Sequence, residues 1–320
     1  MRLGRGVPAA LGVGVVALAL VVGLAARDGD ELLADLPGTS ARVAFTHGDD
    51  ILVVDADGRR VARIDDAAHP SWSPDGTMLA FERPAPACVR GPGGQCADDI
   101  WVVRADGTDE RPLVRRPGED HEPAWSPDGR RILFVSWRGR DNPDIWVMQA
   151  DGSDARRLVA RRPHDRDAAW SPDGRWIAFS SGPPDGSADI WVMRADGTAV
   201  RPLTRSPNRH DTEPDWSPDG RSLVFASSGE LWMMDIDGSD QRALTRRVLE
   251  DDPFDDEPDW SPNGRWLVFE REIETDEDVW GLTPTRSEIW LMDAEGGNLG
   301  RLTNGEDSDP KWRPRLRAMA

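Results

Sequence analysis

Carboxylate and imidazole side chains recur at one position of a sequence repeat. That position lies three residues before each of six tryptophans, and it is occupied by His69, Glu122, Asp167, Glu213, Glu257 and Asp309. Carboxylate oxygens suit a hard cation such as Ca²⁺, and a cluster of negative charge attracts a basic partner. Alternatively, each carboxylate accepts backbone hydrogen bonds or pairs with a neighbouring Arg. The sequence leaves both interpretations open.

The tryptophans that define this position begin a repeated turn motif. The motif Trp-Ser-Pro-Asp-Gly, its Asn variant and a C-terminal remnant begin at Trp72, Trp125, Trp170, Trp216, Trp260 and Trp312. Pro-Asp-Gly is typical of a tight turn, because Pro presets φ and Gly adopts the left-handed conformation. A Phe stands nine residues after the Trp of every complete copy. The motif therefore predicts a hairpin between a strand that ends in Trp and an apolar strand.

A second fixed module follows in each repeat. An Ile-Trp or Leu-Trp pair precedes a Gly that lies six residues after the Trp, as in Trp146 and Gly152. This segment predicts another hairpin, so that each repeat contains four short strands. The middle two are apolar on successive residues, which suits strands covered on both faces. Repeats of roughly 44 to 53 residues with four strands have the dimensions of a propeller blade.

The two ends of the repeat array each supply part of a blade. The first repeat has Phe45 and a third strand at 50–58 but no preceding Trp, whereas the last repeat stops after Trp312. We therefore expect the segment around 310–312 to pair with residues 41–64, which closes a ring of six blades and removes a free sheet edge. The predicted fold is an all-β, six-bladed β-propeller of four-stranded antiparallel blades that spans 41–313, with 314–320 as a tail.

These motifs resemble a known family. Trp-Ser-Pro-Asp-Gly, an Ile-Trp-Val-Met strand and the Leu-Thr endings at 203–204, 244–245 and 302–303 are similar to the TolB-type, WD40-like (PD40) propeller repeat. The resemblance covers about 41–313 and implies the propeller fold. TolB itself has an additional N-terminal α/β domain, whereas about 40 residues precede the ring in this sequence. The resemblance therefore leaves a role in a Tol-type system open.

The N-terminal segment predicts export. Arg2 and Arg5 precede twenty uncharged, mostly apolar residues at 7–26, and 27–40 is a short acidic linker. A basic start followed by an apolar run is typical of a signal peptide, and this run is also long enough for an uncleaved anchor. We expect residues 1–26 to be a signal peptide or signal anchor. The propeller is then extracytoplasmic, either periplasmic, secreted or at the cell surface, and only the N-terminal segment contacts the membrane.

The two cysteines, Cys88 and Cys96, lie in a Pro/Gly-rich excursion at 84–98. In an oxidising compartment they are expected to form a disulfide that closes this loop. A zinc site is not indicated, because two cysteines without nearby His ligands do not make one.

The loops of each repeat fall into two classes. Both hairpin turns have a fixed length, whereas the connections between the middle strands and between repeats vary in length. Because strands alternate in direction, the fixed turns lie on one face of the ring and the variable connections on the other. Recognition commonly uses unlike loops on a rigid scaffold. The variable face would carry the acidic residues described above around the mouth of a central channel.

Other acidic and imidazole residues lie in the connections that enter each Trp. Among the acidic ones are Asp120, Asp165, Asp211, Asp215, Asp255, Asp259 and Asp307. His121, His164 and His210 also lie in these connections and could meet over the channel as a general base. Of these three, His121 and His210 join the six residues of the repeated position as candidate binding residues.

Charge favours some partners over others. The chain has a formal net charge of -19, which repels the phosphates of nucleic acid and favours a basic protein or peptide. Alternatively, the negative charge only keeps an exported protein soluble and does not indicate a partner. No cofactor is expected, apart from the Ca²⁺ considered for the channel.

The functional prediction is a non-enzymatic scaffold that binds a protein or other ligand through the variable acidic face. No nucleophile and base stand at a recognisable spacing, and the sequence contains no Gly-x-Ser-x-Gly elbow of a serine peptidase. The enzymatic alternative is a polysaccharide lyase or hydrolase with a metal-assisted site at the channel mouth.

Overall fold

A computed structural model gives the architecture of the chain. It describes residues 42–55, 59–84, 98–114, 118–138, 142–159, 163–183, 186–248, 252–274, 285–303 and 305–314. These residues form six four-stranded sheets. Neighbouring strands within each sheet are antiparallel, so every sheet is a propeller blade. The predicted all-β, six-bladed propeller is confirmed.

The first three blades take their strands from the N-terminal half of the chain. The first blade contains β1 (Arg42–His47), β2 (Asp50–Asp55) and β3 (Arg60–Ile64). The second contains β4 (Ala68–Trp72), β5 (Met78–Pro84), β6 (Asp98–Arg104) and β7 (Arg111–Pro112). The third contains β8 (Asp120–Trp125), β9 (Arg131–Ser136), β10 (Asp144–Gln149) and β11 (Arg156–Arg157).

The remaining blades follow in the same order. The fourth contains β12 (His164–Trp170), β13 (Trp176–Gly182), β14 (Asp189–Arg194) and β15 (Arg201–Pro202). The fifth contains β16 (Asp211–Trp216), β17 (Ser222–Ser227), β18 (Glu230–Asp235) and β19 (Arg242–Ala243). The sixth contains β20 (Phe254–Trp260), β21 (Trp266–Glu274), β22 (Thr285–Asp293) and β23 (Gly300–Arg301).

The last strand, β24 (Asp307–Trp312), completes the first blade. It pairs antiparallel with β1, with Trp312 opposite Val43 and Asp307 opposite His47. The sheet order is therefore β24-β1-β2-β3, and strands from the two ends of the repeat array share one blade. The predicted closure of the ring is confirmed.

The apolar core lies between blades. Six apolar clusters fill the interfaces, and each takes its buried residues from two neighbouring blades. The repeat Phe of every complete copy is fully buried, at Phe81, Phe134, Phe179, Phe225 and Phe269. A blade is covered on both faces, which explains why the second and third strands are apolar on successive residues.

The Trp-Ser-Pro-Asp-Gly turns are stabilised by their own side chains. In the third blade, the Ser126 hydroxyl donates to Asp128 at 2.6 Å and accepts the backbone N–H of Arg131 at 2.9 Å. The turn also contacts the preceding blade, because a Cβ on Gly129 would lie 3.3 Å from Cγ of Pro74. The same Gly-to-Pro proximity recurs between later blades. The repeated motif therefore specifies both a turn and an interblade contact.

The N-terminal and cysteine predictions fall outside the described residues. These are the signal or anchor at 1–26, the linker at 27–40 and the Cys88–Cys96 disulfide. Within the part of the chain that the structure describes, no helix has the length and hydropathy of a membrane span.

Candidate functional site

The first strand of each blade lies on the inside of the ring. These six strands contact one another in a closed circle, in the order β4, β8, β12, β16, β20 and β24. The space that they enclose is the central channel. The six residues three positions before the repeat Trp lie in these strands, and we call His69, Glu122, Asp167, Glu213, Glu257 and Asp309 the ring residues.

Each ring residue has a left-handed backbone conformation. Their φ angles are 51, 52, 52, 52, 50 and 50° in chain order. The pairing of each first strand with its neighbour shifts register beside the ring residue, which is the signature of a β-bulge. Left-handed residues other than Gly are uncommon and persist where the surroundings enforce them. The same irregularity in all six blades aims the ring residues into the channel.

Three ring residues of consecutive blades lie close together. Ligand atoms of His69, Glu257 and Asp309 all lie within 4.8 Å of one another, and these residues belong to the second, sixth and first blades, which follow one another around the ring. The ring residues also stand near the start of each first strand, next to the variable connections. They therefore surround the end of the channel on the variable face, which we call the channel mouth.

The backbones of four ring residues are held by the ring carboxylate of the preceding blade. The Asp167 N–H donates to Glu122 at 2.8 Å, the Glu213 N–H to Asp167 at 3.4 Å, and the Glu257 N–H to Glu213 at 2.8 Å. The Asp309 N–H likewise donates to the Glu257 carboxylate. Accepting backbone hydrogen bonds was one of the two interpretations that the sequence left open. These bonds link successive blades around the mouth.

A histidine at the second-blade position changes this pattern. The second blade has no ring carboxylate to accept the Glu122 N–H, and Glu82 on β5 accepts it instead at 3.0 Å. The His69 N–H donates to the Thr46 hydroxyl at 3.3 Å, and that hydroxyl donates to Asp309 at 2.9 Å. Glu82 and Thr46 therefore complete the circle of interblade contacts where His69 interrupts it.

His69 itself lies between two carboxylates. Its Nδ1 is 3.0 Å from Glu82 Oε1, and its Nε2 is 3.1 Å from Asp309 Oδ1. Burial favours the neutral ring, but the Asp309 and Glu82 carboxylates outweigh it and raise the pKa of His69 to about 10. The same contacts lower the pKa of Glu82 against the opposing effect of burial. At neutral pH, His69 is an imidazolium bridge between the second and first blades.

The other side of the mouth has an excess of carboxylates. Burial and the Asp256 carboxylate raise the pKa of Glu213 well above its usual value, and burial and Asp309 do the same for Glu257. Burial, with Asp309 and Asp256 nearby, raises the pKa of Glu270 to about 7 despite a hydrogen bond from Ser287. Carboxylates so close together resist simultaneous ionisation.

A second layer of charge lines the channel one residue before the repeat Trp. Asp215 accepts the backbone N–H of Trp260 at 2.9 Å, and Asp259 accepts the backbone N–H of Trp312 at 2.8 Å. Burial and the Asp215 carboxylate raise the pKa of Asp259 to about 7, although Lys311 opposes the shift. The Lys311 Nζ lies 4.0 Å from Asp259 Oδ1. One lysine therefore faces two aspartates in this layer.

The acidic residues five positions before the repeat Trp have a different environment. Asp120, Asp165, Asp211, Asp255 and Asp307 are buried within the blades. Asp255 receives two hydrogen bonds from Arg271, at 2.5 and 2.8 Å, and Asp307 contacts His47 at 2.6 Å. The sequence placed these residues in one acidic cluster with the ring residues. The structure instead pairs them with the end of the second strand, away from the channel.

The three histidines of the entering connections have separate surroundings. His121 lies 3.5 Å from Glu82 and 3.6 Å from Asp98. The ring of His164 packs edge-on against Trp137, with 5.8 Å between centroids. His210 is exposed, and its Nδ1 accepts the Ala188 N–H at 3.0 Å. Of the two candidate binding histidines, His121 therefore joins the charged groups of the mouth, while His210 supports a loop.

Three residues of the channel were missed from the sequence. Glu82 and Glu270 both stand one residue after the repeat Phe, and Lys311 stands one residue before the repeat Trp, the position that Asp215 and Asp259 occupy in other blades. These positions hold different residue types in the other blades, so the repeat pattern does not single them out by residue type. Only their shared position within the repeat could have identified them.

The closed ring and its channel mouth define a six-bladed β-propeller built from interlocked Trp-Ser-Pro-Asp-Gly repeats. The chain belongs to the TolB beta propeller domain family, PD40, which it matches over residues 51–286. The resemblance found in the sequence is thereby confirmed.

Two relatives are named Tol-Pal system protein TolB. The protein from Nitratidesulfovibrio vulgaris is 39% identical over 49 residues, which are 15% of this chain and 11% of the relative. The protein from Thioalkalivibrio sulfidiphilus is 36% identical over 94 residues, which are 27% of this chain and 19% of the relative. The similarity thus spans less than a fifth of either relative.

Solved structures of similar fold extend over most of the chain. A putative TolB from Agrobacterium tumefaciens has a TM-score of 0.61 and 23% identity, covering 83% of this chain and 88% of that one. TolB from Acinetobacter baumannii has a TM-score of 0.64 and 20% identity, covering 96% of this chain and 74% of that one. At these identities the likeness concerns the fold.

Proposed function

We propose that this protein is an extracytoplasmic, non-enzymatic propeller scaffold that binds a basic segment of a protein or peptide at its channel mouth. The carboxylate excess of the mouth is the observation that carries this proposal. Burial, together with neighbouring carboxylates, raises the pKa values of Glu213, Glu257 and Glu270. An Arg or Lys side chain at this position would relieve their mutual repulsion.

The charge distribution favours one side of the mouth for such a contact. His69 lies between Glu82 and Asp309, so these two carboxylates already have a cationic partner. Asp256, Glu257 and Glu270 lie on the sixth blade, beside Glu213 of the fifth. We therefore place the partner's positive charge against the fifth and sixth blades. Arg is favoured over Lys, because its planar fork can contact two carboxylate oxygens.

The relatives support the same class of function. Two of them carry the name Tol-Pal system protein TolB, which describes components of a multiprotein system. This chain matches the TolB beta propeller domain family over residues 51–286. We extend protein binding and an extracytoplasmic location to this chain on that basis, together with the signal or anchor predicted at 1–26.

The test compares two variants that each lose two carboxyl groups. The mouth variant carries Glu213→Gln and Glu257→Gln, and Gln keeps an oxygen for the interblade N–H bonds. The control carries Asp240→Asn and Glu295→Gln, two exposed residues in the fixed turns of the opposite face. Purified proteins are crosslinked in envelope extract and the captured proteins are identified. We expect partners that bind the parent and the control but are lost with the mouth variant.

A salt series and a melting curve complete this test. Because the proposed contact is electrostatic, capture by the parent should decrease as ionic strength rises. The melting curves of the two variants establish that both are folded. Equal capture by the mouth variant and the control would overturn the proposal, since binding would then not depend on the mouth carboxylates.

A second candidate ligand is a hard cation in the channel. Glu257 and Asp309 place carboxylate oxygens within 4.8 Å of each other beside His69, and carboxylate oxygens suit Ca²⁺, although the His69 imidazolium must lose a proton before its ring can join them as a ligand. Calorimetric titration of chelator-treated protein with Ca²⁺ tests this candidate. Heat of binding and a raised melting temperature would support it, and both should be lost in the Glu257→Gln variant. Absence of both from the parent protein would exclude Ca²⁺ binding.

A further inference from the structure

A second group of donors lies to one side of the ring residues, where the second and third blades meet. It consists of Glu82 on β5, Asp98 at the start of β6 and His121 on β8. Glu82 pairs with Ile100 in the β5–β6 ladder, and Asp98 stands two residues before Ile100. Side chains two residues apart on a strand share a face. The ladder therefore presents both carboxylates to one side, and the next blade brings His121 to them.

The distances in this group match those between ligands of one metal ion. The Nδ1 of His121 lies 3.5 Å from Glu82 Oε2 and 3.6 Å from Asp98 Oδ2. Donor atoms that bind Zn²⁺ tetrahedrally at about 2.0–2.1 Å stand roughly 3.3 Å apart. The two His121-to-carboxylate separations exceed that spacing by a few tenths of an ångström, and all three donor atoms lie within 4.8 Å of one another.

Hydrogen bonding alone accounts poorly for the same arrangement. Separations of 3.5 and 3.6 Å exceed the normal range of N–H···O bonds. One imidazole nitrogen also has a single proton, which it cannot direct at two carboxylates together. A cation between the three groups would contact all of them. The side chains of Glu82, Asp98 and His121 are 10%, 26% and 22% exposed, so an ion can reach them from solvent.

Neighbouring groups orient the donors. Glu119 Oε2 lies 4.0 Å from the second ring nitrogen of His121, on the side away from the two carboxylates. Glu82 accepts the Glu122 N–H at 3.0 Å, and the charged His69 ring lies 3.0 Å from its other oxygen. Metal-binding histidines commonly have a carboxylate beyond the second nitrogen, and their carboxylate ligands are commonly hydrogen-bonded.

We propose that Glu82, Asp98 and His121 form a binding site for a first-row divalent transition cation such as Zn²⁺. An imidazole donor with two carboxylates favours such an ion over Ca²⁺, which prefers an all-oxygen set. Three protein donors leave a coordination position for water. This site is separate from the channel triad of His69, Glu257 and Asp309, and it does not rest on the proposed partner binding.

The test titrates chelator-treated protein with Zn²⁺ by calorimetry, and with Co²⁺ by visible absorption as a spectroscopic reporter. We expect one site per chain, a Co²⁺ spectrum of low coordination number, and displacement of Co²⁺ by Zn²⁺. An excess of Ca²⁺ should leave this binding unchanged. Displacement by an equimolar amount of Ca²⁺ would overturn the assignment.

Matched variants locate the ion. His121→Ala and, separately, Asp98→Asn should weaken Zn²⁺ binding at least tenfold and remove the zinc-dependent rise in melting temperature. His164→Ala removes a histidine of the equivalent connection in the next blade, and it should bind Zn²⁺ as the parent does. Unchanged Zn²⁺ binding by His121→Ala would contradict the site. So would a result in which Glu257→Gln loses Zn²⁺ binding and His121→Ala retains it. Melting curves without metal establish that each variant is folded.

Discussion

The carboxylates of the channel make the stability of the ring depend on pH. Asp259 and Glu270 have pKa values of about 7, well above those of exposed carboxylates. The folded state therefore binds protons more tightly than the unfolded state between roughly pH 4 and 7. His69, with a pKa raised to about 10, acts in the same direction between roughly pH 6.5 and 10. Both kinds of group lower stability as pH rises.

We predict that the melting temperature falls by roughly 5–10 °C between pH 5.5 and 8.5, as expected for a loss of a few kcal/mol in a domain of this size. Differential scanning calorimetry across this range measures it. Asp259→Asn keeps an oxygen for the Trp312 N–H and removes one titrating group, so its pH dependence should be shallower. A melting temperature that rises with pH would show that these carboxylates are ionised without penalty in the folded state.

His69 offers a second prediction at the level of one side chain. His69→Ala leaves Glu82 and Asp309 without their shared cation, and we expect it to lower the free energy of unfolding by about 1–2 kcal/mol at pH 7. This range is modest because the His69 side chain is 40% exposed and solvent screens the charges. The difference from the parent should shrink as pH rises through about 10, where the parent loses the imidazolium proton. Urea denaturation at pH 7 and above 10 measures both differences, and a difference that did not shrink would indicate a packing role.

Among the elements, the bulged first strand controls which acidic residues reach the channel. In β12, the sequence shows Asp165 and Asp167 two residues apart, and regular alternation would put both on one face. The left-handed φ of Asp167 breaks this alternation, so that Asp165 is buried and Asp167 lies in the ring. The sequence could identify the repeated position, because it recurs in six copies. The sequence could not predict the bulge, because Asp, Glu and His do not by themselves indicate a left-handed backbone conformation.

The same limit applies to contacts between blades. Fixed spacing predicted the hairpins and the ring, since turn residues and apolar runs are local signals. Glu82 was missed because its role depends on His69, which belongs to another strand and leaves the Glu122 N–H without a ring carboxylate. Such compensation follows from tertiary structure and has no signature within one repeat.

The second hairpin turn allows backbone strain and interblade contact to be measured separately. Gly107 and Gly152 occupy the same repeat position with φ of 83 and 87°. A Cβ on Gly107 would meet no atom within 4 Å, whereas one on Gly152 would lie 2.3 Å from the Leu113 carbonyl oxygen of the preceding blade.

We predict that Gly107→Ala costs about 1–2 kcal/mol, the penalty of a left-handed non-Gly residue. Gly152→Ala should cost a further 1–3 kcal/mol, because the blades must separate to admit the methyl group. Chemical denaturation of both variants measures the two values. Equal losses would mean that the interface adjusts freely around the turn.

At the scale of the whole molecule, the chain closes its ring with a strand from the opposite end. β24 supplies the inner strand of the first blade, and Trp312 lies in the apolar cluster shared by the sixth and first blades. The backbone N–H of Trp312 also donates to Asp259 of the sixth blade. Removal of β24 would therefore open a sheet edge and an interface together.

We predict that deletion of residues 306–320 abolishes the single cooperative melting transition and causes association, because β1 would expose an unpaired edge. Trp312→Ala should be folded but destabilised by about 3–5 kcal/mol, the usual cost of removing a buried Trp side chain. Calorimetry and light scattering measure both effects. Deletion of 315–320 is the control, since it retains all of β24, and it should melt as the parent does. If the 306–320 deletion stayed monomeric with an unchanged melting temperature, β24 would not be required to hold the first and sixth blades together.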